Sequence, residues 1–168
     1  KKRGAKLVVV DPYRNATAKK ADLHLMLQPG TDGALATAIM HVLLAEKLAD
    51  RAYLEEYTDF GTELETHLAD KTAQWAAEIT GVPSEQIVEF ARLVGNKPKT
   101  FFRLGYGFTR TRNGAFNMHA VSCIPAVTGA WKYYGGGALY SNAELFQLDK
   151  SLIVGADLLD KGVRVFDQ

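Results

Sequence analysis

Cysteine is nearly missing from this chain: Cys123 stands alone, so no internal disulfide can form and no cysteine cluster exists to hold zinc or an iron–sulfur group. The histidines, His24, His41, His67 and His119, are scattered through strand and helix patterns without a partner at ligand spacing. Excess charge is missing too. Lys and Arg number 20 against 19 Asp and Glu, a net charge of +1, which leaves no electrostatic footprint for nucleic acid or an acidic membrane surface. No apolar run approaches the roughly 20 residues that span a bilayer, and no signal-peptide pattern is present, so direct membrane insertion is not expected. There is no low-complexity tract. What remains is an ordinary globular composition, 47% hydrophobic and 23% charged over 168 residues, enough for one domain with a sizeable core.

The opening residues, Lys1-Lys2-Arg3-Gly4-Ala5, read as the last turn of a helix with basic residues at its negative end and Gly4 as its cap. A chain that opens this way is expected to be a fragment of a longer one. Next comes the stretch around which the rest is organised. Lys6-Leu-Val-Val-Val-Asp-Pro has the short β-branched run of a strand buried on both faces of a parallel sheet, stopped at Asp11 by Pro12. Open α/β sheets bind ligands beyond the carboxyl ends of their strands. Asp11 there can accept two hydrogen bonds from a ribose diol, or it can simply close an Asp-Pro turn.

Leu25-Met-Leu reads as a second strand, Pro29-Gly30 as a turn, and Thr31-Asp32 as the start of a helix running to about Leu48, with Leu35, Ile39, Val42 and Leu43 on one face laid across the sheet. A helix start offers free N–H groups to electron-rich ligands, but the carboxylate of Asp32 has the wrong sign for phosphate. It suits a ligand with paired N–H donors, such as the edge of guanine. The alternative is an N-cap Thr followed by an acid in the first turn.

Asp50 reads as the N-cap of a short helix through Tyr57, with Leu54 and Tyr57 inward, and Asp59-Phe60-Gly61 ends it. Residues 62–97 read as helical throughout. Asp70 opens the segment carrying Trp75 and Ile79, Gly81 closes it, and Pro83-Ser84 begins a helix with Ile87, Phe90, Ala91 and Val94 inward. Thr100-Phe-Phe-Arg-Leu104 is the next strand. It ends in Gly105-Tyr106-Gly107, two glycines that would let a ligand approach the backbone, although a plain strand-to-helix turn would use glycine as well. Arg110 and Arg112 follow, suited to a pyrophosphate or a pterin oxygen.

A helix then runs from Asn113 or Gly114 to Thr128, with Pro125 in its last turns and Gly129 beyond. Cys123 lies on its apolar side with Phe116, Ala120, Ile124 and Val127, the setting of a buried structural thiol. Trp131 to Gly137 reads as a flexible aromatic loop; without a following Lys-Ser/Thr pair its three glycines are no phosphate-binding P-loop. Ser151–Gly155 and Val163–Phe166 are candidate strands.

Lys6-Leu-Val-Val-Val-Asp-Pro-Tyr-Arg-Asn-Ala-Thr and Ala21-Asp-Leu-His-Leu-Met-Leu-Gln-Pro-Gly-Thr-Asp-Gly-Ala-Leu resemble the central region of the bis-molybdopterin guanine dinucleotide oxidoreductases, the family of dimethyl sulfoxide reductase, formate dehydrogenase and the prokaryotic nitrate reductases. Ile79-Thr-Gly-Val-Pro-Ser-Glu-Gln-Ile, Arg103-Leu-Gly-Tyr-Gly-Phe-Thr-Arg, Asn113-Gly and Pro125-Ala-Val-Thr-Gly-Ala continue the resemblance in order, over about residues 1 to 141.

The resemblance implies a Rossmann-like three-layer α/β domain, a parallel sheet with a helical excursion between strands, forming residues 1–168 as one cofactor-binding domain of a longer catalytic subunit. It implies a bis-molybdopterin guanine dinucleotide cofactor carrying Mo or W, with any 4Fe-4S cluster held elsewhere in the parent. The partners implied are the rest of the catalytic subunit and an electron-transfer iron–sulfur subunit, in the cytoplasm or the periplasm.

By position in the family pattern, Asp11, Pro12, Tyr13, Arg14 and Asn15 would meet the guanosine ribose or base. Gly30, Thr31 and Asp32 would meet the guanine edge, and Gly105, Tyr106, Gly107 and Arg110 the pterin side. Tyr13 and Asn15 depart from the residues common there. No residue matches the family's metal ligand, so no catalytic or metal-binding residue is assigned and the fragment alone is expected to be inactive. Two alternatives stay open: a non-catalytic relative such as the large iron–sulfur subunit of respiratory complex I, or another Rossmann-like nucleotide-binding enzyme. The latter would lack its usual Gly-x-Gly-x-x-Gly after the first strand.

Overall fold

The computed structural model describes residues 3–140 together with 149, 153, 155 and 158. Parallel strands and helices make a mixed α/β chain: β1 (Val8–Val10), β2 (Leu23–Leu25), α1 (Asp32–Ala45), α2 (Arg51–Tyr57), α3 (Thr62–Leu68), α4 (Ala73–Thr80), α5 (Ser84–Asn96), β3 (Phe101–Leu104), α6 (Gly114–Val127) and β4 (Gly137–Tyr140). The strands pair in parallel as β1 with β2, Val9 opposite His24, and β3 with β4, Phe102 opposite Ala138. Helices α1 to α5 form the excursion between the two pairs, and the whole is compatible with a Rossmann-like three-layer domain.

Helix α1 is the hub. Leu35, Ala36, Ala38, Ile39, Met40, Val42 and Leu43 are all buried, so it is apolar nearly all round rather than along one stripe, the mark of a helix enclosed by others. Its main partners are α6, α4, α5 and α3; the contacts to strands are made by α5 on β2 and by α6 on β4. Its apolar side chains share one core with Leu25 of β2, against which Val8, Leu23 and Phe102 also pack, so α1 is enclosed by helices as well as facing the strands. Fully burying residues such as Leu25, Ile39, Leu43 and Ile87 contributes about 1.5–3 kcal/mol each.

Several local expectations shift for identifiable reasons. The second strand is Leu23–Leu25 rather than Leu25–Leu27, because Leu23 and Leu25 pair with Val8 and Val10 while Leu27 drops directly into the core. The first strand is only partly covered: Val10 is 38% exposed, since β1 has a single neighbour among the described residues. Residues 62–97 are helical in three segments, broken at Gly81 and Pro83-Ser84 as read from the sequence and once more between α3 and α4. α4 is opened by Thr72, whose hydroxyl accepts from Trp75 N at 3.1 Å, and not by Asp70, which pairs with Lys71 in the linker. Gly81 closes α4 at φ +74° as expected.

Asp50 caps α2, accepting from Tyr53 N at 3.0 Å, and Leu54 is buried, but Tyr57 points outward at 63% exposure. α1 ends at Ala45, three residues early, where Lys47 takes φ +57° and Leu48 N turns back to the carbonyl of Leu43. The stretch expected as a loop from Trp131 holds a 3₁₀ turn, Ala130–Lys132, and leads into β4, whose first residue is Gly137. Gly4 is left-handed at φ +81°, as a helix cap would be, while Lys1 and Lys2 lie outside the described residues. The candidate strands Ser151–Gly155 and Val163–Phe166 fall essentially outside them too.

Candidate functional site

Three loops leave the carboxyl ends of β1, β2 and β3, and each is built differently. The β1 loop is knitted by its own polar side chains. Asp11 Oδ1 accepts from Tyr13 N at 2.7 Å and Oδ2 from Asn15 Nδ2 at 3.0 Å, while Asn15 Oδ1 accepts from the amides of Thr17 and Ala18, both at 2.9 Å. Asp11 thus closes an Asx turn, the simpler of its two readings, although each oxygen keeps a further lone pair. Tyr13 is 73% exposed, and Pro12 and Arg14 also face solvent.

The β2 loop turns at Gly30, φ +85°, and the Thr31 hydroxyl donates back to Gln28 O at 2.6 Å instead of capping α1. Asp32 therefore opens the helix without a side-chain cap beside it. Its carboxylate is half-buried, and burial pushes its pKa above the ordinary carboxylate range, against a smaller opposing effect of its own backbone amide. It forms no hydrogen bond or ion pair with another described side chain. An ionised group held this way is short of donors.

The β3 loop carries Gly105, Tyr106 and Gly107. Tyr106 packs edge-on against Tyr140 with ring centroids 5.2 Å apart, the Arg110 guanidinium lies over the Tyr106 ring at 5.6 Å, and Thr109 Oγ1 meets the Tyr140 hydroxyl at 2.9 Å. Neither flanking glycine has a positive φ, and a Cβ built on either meets no heavy atom within 4 Å. A tight turn therefore does not explain them. Gly114 is different: a Cβ there would lie 1.9 Å from the carbonyl oxygen of Thr109, so the entry to α6 admits only glycine.

The second and third loops are bound to each other. Asn113 Nδ2 donates to Gly30 O at 3.1 Å, and Asn117, 1% exposed on the first turns of α6, accepts from Gly33 N at 3.0 Å through Oδ1. Asp11 stands beside them through β2, its amide donating to Leu25 O at 3.2 Å and its carbonyl 2.9 Å from His24 Nε2. Among the described residues no hydrogen bond ties the β1 loop directly to the other two.

A groove of about 330 Å³ opens beside Gly30 and Thr31, walled by Thr37, His67, Lys71, Trp75, Ile79 and Phe116. Phe116, expected on the buried side of α6, is 80% exposed along this groove; the thiol of Cys123 is raised by burial, as a structural cysteine's should be. A second groove of about 360 Å³, between α2 and the Ala130–Lys132 turn, touches none of the candidate cofactor-binding residues but is bordered by Tyr57 and Trp131. Among the described residues no three His, Cys, Asp or Glu side chains gather as metal ligands would, and no helix is long and apolar enough to cross a membrane.

Sequence reading alone overlooked Thr111 and Asn117 and gave Asn113 no role in the site beyond a helix start and part of a family motif. The available signal was an Asn pair at i and i+4 opening a helix that is otherwise apolar.

Comparison with known proteins adds a family. The molybdopterin oxidoreductase family profile matches residues 1–154. The chain is similar to the probable oxidoreductase YoaE of Bacillus subtilis, 38% identical over 159 residues that cover 95% of this chain and 23% of that protein. It is similar to the dimethyl sulfoxide reductase DmsA of Haemophilus influenzae, 32% identical over 153 residues, 79% of this chain and 19% of that protein. Among solved structures, acetylene hydratase from Pelobacter acetylenicus superposes with a TM-score of 0.68 at 26% identity, over 81% of this chain and 18% of the hydratase. The chain thus spans about a fifth to a quarter of the length of these relatives.

Proposed function

The chain belongs to the molybdopterin oxidoreductase family, and on that premise we propose that it is the part of a molybdenum or tungsten catalytic subunit that grips the guanosine end of one molybdopterin guanine dinucleotide. When bound, that cofactor supplies the metal, held by pterin dithiolenes, and the redox chemistry. This chain's residues bind and orient. Residues 1–168 act as one cofactor-binding domain, with the rest of the catalytic subunit as immediate partner and an iron–sulfur subunit as electron partner.

One observation carries the reading: a half-buried carboxylate, Asp32, opens α1 beyond a parallel strand with no hydrogen bond or ion pair to another side chain among the described residues. A ligand with adjacent N–H donors completes it, and guanine N1–H and N2–H₂ have that geometry, whereas phosphate would be repelled. Gly30 and Thr31 bring backbone groups to the same place. Gly105 and Gly107, which the chain's own packing does not require, leave room for a ligand over the β3 loop, and Arg110, held on Tyr106, offers a guanidinium for an anionic oxygen. Asp11 and Asn15 shape the β1 loop, leaving the remaining lone pairs of Asp11 and the exposed side chains of Tyr13 and Arg14 for the ribose side.

Reaction and substrate are not encoded in these loops. A reductase and a hydratase, by their names, both share the fold, as expected when chemistry resides in a site assembled elsewhere. Calorimetry of the chain with GDP, IDP and ADP tests the proposal: GDP should bind more tightly than IDP, which lacks the 2-amino group, and ADP least. Equal affinity for all three would reject it.

A further inference from the structure

Gly33 lies in the first turn of α1, where backbone amides have no carbonyl behind them. Thr31 has turned its hydroxyl away. The amide of Gly33 is met instead by a side chain 84 residues further on, Oδ1 of Asn117, at 3.0 Å. That one bond sets the orientation of the Asn117 amide, since an N–H can face only its oxygen. Nδ2 is then forced toward Gly30 O at 3.4 Å, Thr111 Oγ1 at 3.3 Å and Asn113 Oδ1 at 3.4 Å. Asn113 completes the circuit, donating to Gly30 O at 3.1 Å and to Asn117 Oδ1 at 3.3 Å.

Thr111 belongs to the β3 loop, its hydroxyl donating to Phe108 O at 3.0 Å with Asn113 Oδ1 at 3.2 Å. A single side chain, 1% exposed, therefore replaces the missing cap of α1, holds the carbonyl of the left-handed Gly30 and anchors the segment next to Arg110.

We propose that Asn117 is a positioning residue that locks the β2 and β3 loops into one rigid unit, and that guanine selectivity at Asp32 depends on it. The inference rests on the guanine reading given above. Asp32 immediately precedes Gly33, so the direction of its carboxylate follows the turn that Asn117 holds. The approach is close: a Cβ on Gly33 would come within 2.8 Å of Asn117 Oδ1, so glycine at 33 is what lets the amide reach the backbone. Asp at 117 would turn an oxygen toward Gly30 O, and Leu would leave the Gly33 amide without an acceptor.

The test is the ratio of IDP to GDP dissociation constants, measured by calorimetry on the 168-residue chain and on Asn117→Leu and Asn117→Asp, with thermal unfolding recorded for each. The parent should favour GDP by about tenfold or more, the scale of one hydrogen bond to a charged acceptor. In folded variants that ratio should fall toward one. Partial unfolding lowers both affinities equally and leaves the ratio alone, so the ratio reads positioning rather than stability.

If the parent favours GDP and the folded variants keep the same ratio, Asn117 does not position Asp32 and the guanine reading stands without it. If the parent itself shows no preference, the guanine reading fails and this inference with it. Should both Asn117 variants fail to fold, Asn113→Ala decides: it removes the exposed partner from the same carbonyl and should lower the ratio several-fold, and an unchanged ratio would overturn the proposal.

Discussion

Replacing Asp32 with Asn keeps the shape of the side chain and removes its charge, which separates what that charge does for binding from what it does to the fold. In the parent the carboxylate would accept from guanine N1–H and N2–H₂. In Asp32→Asn one acceptor becomes a donor facing a donor. Hydrogen bonds to charged groups contribute about 1.5–3 kcal/mol, so GDP affinity should fall by roughly 10- to 150-fold. Stability should move the other way. Burial raises the Asp32 pKa in the folded chain, so between the unfolded and folded values the folded state binds more protons and stability falls as pH rises through that window.

The Asn variant carries no such loss, and at neutral pH it should melt higher than the parent. Binding follows the opposite limb: the parent's GDP affinity should weaken as pH drops through the raised pKa, whereas the variant's remains flat. Calorimetric titration and scanning calorimetry at several pH values read both effects. A variant that binds GDP as tightly as the parent, or that melts lower at neutral pH, would refute the reasoning.

Three further outcomes follow from the packing. Asp50→Ala removes both the cap of α2 and the partner of Lys132 Nζ, 2.5 Å away, and should cost about 1–2 kcal/mol in urea unfolding near neutral pH. Because Lys132 holds the Asp50 carboxyl below its ordinary range, that contribution is present above the unfolded pKa and should disappear as pH falls through the folded value. Gly33→Ala, ordinarily a gain of about 1 kcal/mol inside a helix, should destabilise instead, because its Cβ meets Asn117 Oδ1 at 2.8 Å; chemical denaturation gives the sign. Finally, the chain assayed with reduced viologen against nitrate, sulfoxides and formate should show no turnover, since the role proposed for its residues is to hold and orient a cofactor whose metal site is completed elsewhere in the catalytic subunit.

How much of this could be read beforehand depends on whether the signal was local. Thr31-Asp32, Gly81 and Pro83-Ser84 mark helix ends through their own chemistry, and the structure has ends there. Parallel pairing was legible in the β-branched run of the first strand, and the helical excursion was implied by the family resemblance. The enclosure of α1 was not legible, because Ala36, Ala38 and Met40 lie outside the apolar face read from the sequence and are buried only when α3 to α6 are wrapped around it. Strand β4 was hidden because Ala138-Leu139-Tyr140 is too short to register beside three glycines and forms only by pairing with β3.

At the site, Asp32 stood out through its charge, while Asn117 did not. A neutral amide in an apolar helix acquires meaning only when Gly33, 84 residues earlier, is brought to it. Phe116 and Tyr57 were placed inward by periodicity, which ranks residues by hydrophobicity and cannot register that their faces border open grooves.

The most direct measurement is a crystal structure of the chain soaked with GDP. Guanine N1–H and N2–H₂ should lie within hydrogen-bonding distance of the Asp32 carboxylate, with the Gly30 turn beside the base. A base bound in the Tyr53–Trp131 groove or against Trp75 and Phe116, with Asp32 left facing water, would contradict it.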